Sequence, residues 1–157
     1  MTTKLTLQDA RAILKRAIEK GAEVDWISTH AVVDAGGNVI SMSRADGAPA
    51  GAASLARAKA YLAAVTGRPT VLFANRMDAH PLRYFGYRAI LPRPVFPGPG
   101  AVPIMREGKV IGGYSSNLSS NAGGMKIEQN GKKLSRADLV TAHAVQAEYI
   151  EQHADVP

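Results

Sequence analysis

AVVDAGGNVISMSRADGAP, Ala31 to Pro49, holds two turns of different character within nineteen residues. Two β-rich runs, Ile27–Val33 and Val39–Ser43, flank Asp34-Ala35-Gly36-Gly37-Asn38. Glycine there admits positive φ, and Asp or Asn can bond its own backbone, so the spacing predicts an antiparallel hairpin. A second acidic loop follows at once, Arg44-Ala45-Asp46-Gly47-Ala48-Pro49, and its turn chemistry does not account for both charges.

On the N-terminal side, Thr6 is placed to cap a helix with Asp9 in its first turn. Ala10, Ile13, Leu14, Ala17 and Ile18 then recur at helical spacing, and Gly21 stops the run. On the other side comes a helix of small residues, AGAASLARAKAYLAAVTG, closed by Gly67-Arg68-Pro69. Thr70 opens a short helix to about Arg76. Between Asp78 and Gly100 stand five of the nine prolines (Pro81, Pro92, Pro94, Pro97, Pro99), which predicts stiff, extended chain without regular structure. Val102–Met105 and Val110–Ser115 read as a second hairpin, and MKIEQ-NG-KKL as a third around Asn130-Gly131. Ser135-x-x-Asp138 signals a last helix. Hairpins instead of crossover units imply an α+β fold: an antiparallel sheet of about five strands flanked by α-helices, in one domain over residues 1–157.

Composition narrows the function classes. No cysteine is present, which excludes disulfides, thiolate metal sites and a cysteine nucleophile. No apolar run approaches the roughly 18 residues of a membrane helix, and the N-terminal stretch reads as an amphipathic helix and not as a secretory signal. A cytoplasmic protein without a membrane span is the expectation. The net charge is +6, and its densest part is Arg76–Arg93, with Arg76, Arg83, Arg88 and Arg93 around Tyr84, Phe85 and Tyr87. Arginine among aromatics can stack on bases and hold phosphates. No helix-turn-helix, zinc-finger or RNP pattern accompanies it, so the segment reads as an anionic-ligand pocket or a subunit interface and not as a nucleic-acid surface.

Lys59 is the most informative single residue. Leu55, Ala56, Leu62 and Ala63 share its helix face, which puts a lysine in the apolar stripe. Either its stem packs on that face with the ammonium reaching out to water, or the charge is desolvated and needs a carboxylate, a carbonyl or a ligand anion. Asp46, just before the helix, is the candidate partner, with Arg44 beside it. Gly98 and Gly100, in Val95-Phe-Pro-Gly-Pro-Gly100, belong either to a stiff structural loop or to one that cradles a ligand, without Walker or Rossmann spacing. His30 falls inside a strand and reads as a satisfied core or interface histidine. His80, before Pro81 and near Tyr84 and Tyr87, is the candidate acid/base or haem ligand. No HExxH spacing or carboxylate cluster suggests a metal site. Tyr114 borders, and Asn117 lies within, a polar run, Ser115–Asn121, that is either a pocket wall or an ordinary loop.

Three stretches together, AVVDAGGNVISMSRADGAP, SLARAKAYLAAVTGRPT and FPGPGAVPIMREGKVIGG, resemble the GlcG/HbpS-like family, also called DUF336 and found at the C-terminal end of PduO-type proteins. The resemblance covers roughly Leu5 to Gly113. It implies an antiparallel sheet with helices, assembly into homo-oligomers such as octamers, and haem or another small ligand as partner in some members. Two departures stand out: Gly98-Pro99-Gly100-Ala101-Val102-Pro103 replaces the usual Gly-Gly-x-Pro loop, and the match stops at Gly112-Gly113-Tyr114, ahead of an unusual segment over 117–134. Three readings follow, of which one is a structural or accessory oligomer with no ligand. Another is a protein binding haem or another planar anion. The third is a cofactor-independent lyase- or isomerase-type enzyme on a small organic acid or carbonyl compound, with Lys59, Asp46 and His80 as its catalytic groups.

Overall fold

The computed structural model describes residues 4–22, 27–77 and 79–118, and the strand pair at 128–129 and 132–133. Helix α1 is Leu7–Ala22, and strands β1 (Ser28–Asp34) and β2 (Val39–Arg44) form the first hairpin. Three helices follow: α2 (Ala52–Thr66), α3 (Val71–Met77) and α4 (Pro81–Ile90). Strands β3 (Ala101–Arg106) and β4 (Lys109–Leu118) make the second hairpin. The short β5 (Glu128–Gln129) and β6 (Lys132–Lys133) pair antiparallel with each other, as the Asn130-Gly131 signal predicts. The last helix expected after Ser135 lies outside the described residues.

The main sheet has four strands, not about five, in the order β2-β1-β4-β3, with every neighbouring pair antiparallel. The third hairpin forms its own two-stranded sheet and adds nothing to the first. Each turn works as its residues require. The Asp34 carboxylate accepts the Gly36 and Asn38 amides at 2.9 and 2.8 Å, so this aspartate serves its own turn. At the start of α1, Asp9 accepts the Thr6 amide at 2.9 Å and Thr6 Oγ1 accepts the Asp9 amide at 3.1 Å.

Strand alternation sends side chains to two covered faces. On one, Val32, Val102, Ile104 and Tyr114 pack with Ala10, Ile13, Leu14 and Ala17 of α1. On the other, Ala31 and Val33 pack with Ala56, Ala60 and Ala64 of α2. Small residues let α2 lie close to the sheet. A Cβ on Gly113 would stand 2.2 Å from the Ala60 carbonyl oxygen, so the helix backbone rests directly on β4. No helix among the described residues is long and apolar enough to cross a membrane.

The segment from 78 to 100 departs from expectation, because residues 81–90 form α4. Pro81 occupies its first turn, where a missing N–H costs nothing and the fixed φ suits the helix. The other four prolines all follow Leu91. Thr70 also takes another role: its side chain accepts the Ala101 amide at 3.1 Å and ties the start of α3 to β3.

Candidate functional site

The sequence candidates fall into two places, not one. The first is a pocket between α3, α4 and the end of α2. Its floor is Leu62, Phe73 and Val95, and its wall is Tyr84 and Tyr87. Phe73 meets Tyr87 edge-on at 5.6 Å, and the Tyr84 hydroxyl donates to the Val95 carbonyl at 3.4 Å, which fixes both rings from behind. Exposed Arg68, Arg76 and Arg83 stand at the rim with His80. His80 begins α4, and its imidazole makes no hydrogen bond among the described residues. The pocket thus joins an aromatic interior to a cationic edge.

The second place is the buried ground around Lys59, which is only 2% exposed. Its ammonium donates to the Ser116 carbonyl at 2.5 Å and the Pro99 carbonyl at 3.1 Å. Neither outward reach to water nor pairing with Asp46 occurs. Asp46 is exposed in the turn before α2, and Arg44, also exposed, donates to the Ala48 carbonyl at 2.6 Å. Burial lowers the Lys59 ammonium to a pKa of about 7, since carbonyl dipoles replace little of the lost hydration.

Across the sheet from α2, His30 joins a buried polar chain. Its Nδ1 lies 3.0 Å from the Tyr114 hydroxyl and its Nε2 lies 2.7 Å from Ser28 Oγ. Burial, with the Lys59 charge nearby, lowers the His30 pKa to about 4, and burial raises that of Tyr114. The ring is therefore neutral and the phenol protonated. One ring nitrogen carries the proton and the other accepts, with the Tyr114 hydroxyl against Nδ1 and the Ser28 hydroxyl against Nε2. Tyr114 is thus a core residue, satisfied from within.

Lys59, Asp46 and His80 consequently stand in three different settings, and the pocket lining contains only the last of them. The Gly98–Gly100 loop spends its groups internally. Phe96 covers Gly98, the Pro99 carbonyl takes Lys59, and the Gly100 carbonyl accepts the Ser116 amide at 2.8 Å. Ser115–Leu118 continues β4 and is not a loop, with Asn117 half-buried opposite Thr29. Sequence reading missed Arg68, which could be found only by folding the Gly67–Pro69 turn towards α4.

Comparison with known proteins agrees with this architecture. The family model described as haem degrading protein HbpS-like matches residues 5–132. Protein GlcG of Escherichia coli K12 is 30% identical over 115 residues, covering 71% of this chain and 81% of GlcG. Among solved structures, the Klebsiella pneumoniae protein ORFY, a DUF336 member, superposes with a TM-score of 0.73 at 17% identity, covering 100% of this chain and 94% of that one. A PduOC:heme complex gives a TM-score of 0.73 at 19% identity, covering 98% and 97%.

Proposed function

We propose, for a chain that belongs to the haem degrading protein HbpS-like family, that its α3–α4 pocket binds a planar anionic ligand, with haem the first to test. One observation carries the reading: an apolar, aromatic interior opens onto a rim of three arginines and an imidazole without a hydrogen-bond partner among the described residues. A tetrapyrrole has a flat apolar body and carboxylates along one edge, and such pockets supply apolar walls with a few placed polar groups. In this proposal Arg68, Arg76 and Arg83 hold the carboxylates through charge-assisted bonds. His80 ligates the iron through a ring nitrogen. Bound haem would supply iron-centred redox chemistry; the chain's own residues orient the plane and keep water from one face.

Titrating haem into the purified protein tests this. A saturable Soret shift is expected, with an altered ligation spectrum in His80→Ala and affinity about tenfold weaker in Arg76→Gln/Arg83→Gln, the loss of one to two charge-assisted bonds. No Soret shift in the parent, or identical spectra in His80→Ala, refutes it. Self-association into a homo-oligomer belongs to the same proposal. It is supported by the outer face of α4, where Leu82 and Ile90 are each 82% exposed and Phe85 is 58% exposed.

A further inference from the structure

A buried ammonium whose acceptors are backbone carbonyls calls for a reason, because burial strips its hydration and neutral dipoles restore only part of it. Lys59 is such a group, with the Pro99 carbonyl at 3.1 Å and the Ser116 carbonyl at 2.5 Å. A leucine or methionine would fill the same place on α2 without that penalty. Neither could hold two carbonyl oxygens side by side, which the charged donor does.

The two carbonyls belong to different parts of the fold. Ser116 is in β4, and Pro99 stands in the chain between α4 and β3. A second bond runs beside the first, from the Ser116 amide to the Gly100 carbonyl at 2.8 Å. At the other end of the same chain, Val95 and Pro97 line the α3–α4 pocket. The Val95 carbonyl also receives the Tyr84 hydroxyl at 3.4 Å. The stretch between is short and stiff. Pro97 and Pro99 each fix a backbone angle, and the Phe96 ring packs so closely on Gly98 that a Cβ there would stand 2.4 Å from it. A shift at Pro99 therefore reaches Pro97 with little slack to absorb it.

We propose that Lys59 is a positioning residue for the α3–α4 pocket: by pinning Pro99 to β4 it holds the Val95–Pro97 strip, and with it Tyr84, where a ligand needs them. The role rests on the α3–α4 reading above, and it gives Lys59 no contact with the ligand, in keeping with its place outside the pocket lining. Lifting the strip hydrates the amine, so the closed and open forms hold its proton differently. The other titratable and charged groups on the surrounding elements keep their state between pH 7.5 and 9.5. His30 of β1 is neutral there and Tyr114 of β4 protonated, while Asp34 of β1, Arg44 of β2, Arg57 of α2, Arg106 of β3 and Lys109 of β4 stay charged.

Two measurements on the full chain test the proposal. The first needs no ligand: exchange of the Ser116 amide, whose bond to Gly100 breaks when the strip lifts. Its protection, corrected for the intrinsic rate, is expected to rise about tenfold per pH unit from 7.5 to 9.5. The closed amine gives up its proton at about 7 and the hydrated one at its ordinary 10.5, so rising pH favours the closed form. The Asp34 amide, bonded to the Asn38 carbonyl in the first hairpin's turn, is expected to stay flat, and Lys59→Met is expected to lose the Ser116 slope. The second is haem titration at pH 8.5. Lys59→Met is expected to bind about tenfold more weakly with the Soret maximum of the bound form unchanged, since no ligating group is altered. If Lys59→Met fails to fold, Phe96→Ala, which frees Gly98 from outside the pocket lining, is expected to lower Ser116 protection and haem affinity together. A flat Ser116 profile in the parent, or parent-like haem affinity in a folded Lys59→Met, overturns the assignment. No Soret shift in the parent refutes the haem reading of the pocket, and the exchange slope still decides whether Lys59 holds the strip, so the two failures are told apart.

Discussion

Between pH 6.5 and 4 the imidazole of His30 works against the folded state. Its folded pKa is about 4 against an ordinary 6.5, so the unfolded chain takes up the proton first and stability falls as pH drops through that window. The loss is on the order of 3 kcal/mol at one proton. Urea unfolding at pH 7, 5.5 and 4 is expected to show it, with the slope flattened in His30→Gln. Lys59 acts at the other end of the scale. Its folded pKa near 7 lies below the ordinary 10.5, so stability rises with pH between those values. Lys59→Met is expected to lose that rise, whatever its effect at pH 7. The strand position of His30 and the turn role of Asp34 were legible in the sequence, because each follows from a local pattern. The partners of Lys59 were not. Asp46 was its nearest acid along the chain, whereas the groups that receive it are backbone carbonyls brought in from 40 and 57 residues away, and a carbonyl has no letter of its own.

Among the elements, α2 and α4 are opposites. Helix α2 buries Ala56, Ala60 and Ala63 completely and touches the β4 backbone at Gly113, whereas α4 buries none of its residues. Gly113→Ala must therefore push the helix off the sheet, and a loss of about 2–4 kcal/mol in chemical denaturation is expected. Amide exchange should begin in α4 well before α2, since an element with few buried contacts opens locally at little cost; equal protection of the two helices in the isolated protein would contradict this. The small-residue run of α2 was legible as a helix, whereas its seat on the β4 backbone at Gly113 emerges only in the fold. Helix α4 was hidden by counting Pro81 with the four prolines after Leu91, although proline in a first turn permits a helix and proline after one ends it.

At the scale of the molecule, charge is segregated. From residue 47 to 106 the chain carries seven arginines and Lys59 against the single Asp78. An anionic ligand is drawn to that half, and its association rate is expected to fall several-fold between 50 and 500 mM NaCl, as stopped-flow haem mixing would show. The exposed apolar face of α4 predicts self-association, read as a light-scattering mass above one chain that Leu82→Gln/Ile90→Gln reduces. The α+β class and both long hairpins could be read directly from turn chemistry. The strand count could not, because nothing local says whether a third hairpin joins an existing sheet or stands apart. One small tether spans this architecture. Arg93, just past α4, donates to the Gly37 carbonyl at 3.2 Å and to Asn38 Oδ1 at 2.5 Å, while Tyr61 of α2 lies flat against Gly37. The first hairpin's turn is thus a strain gauge wired to the far end of the pocket wall: a ligand that shifts α4 must pull on Arg93, and the side-chain amide resonance of Asn38 should register the occupancy of a cavity it never touches.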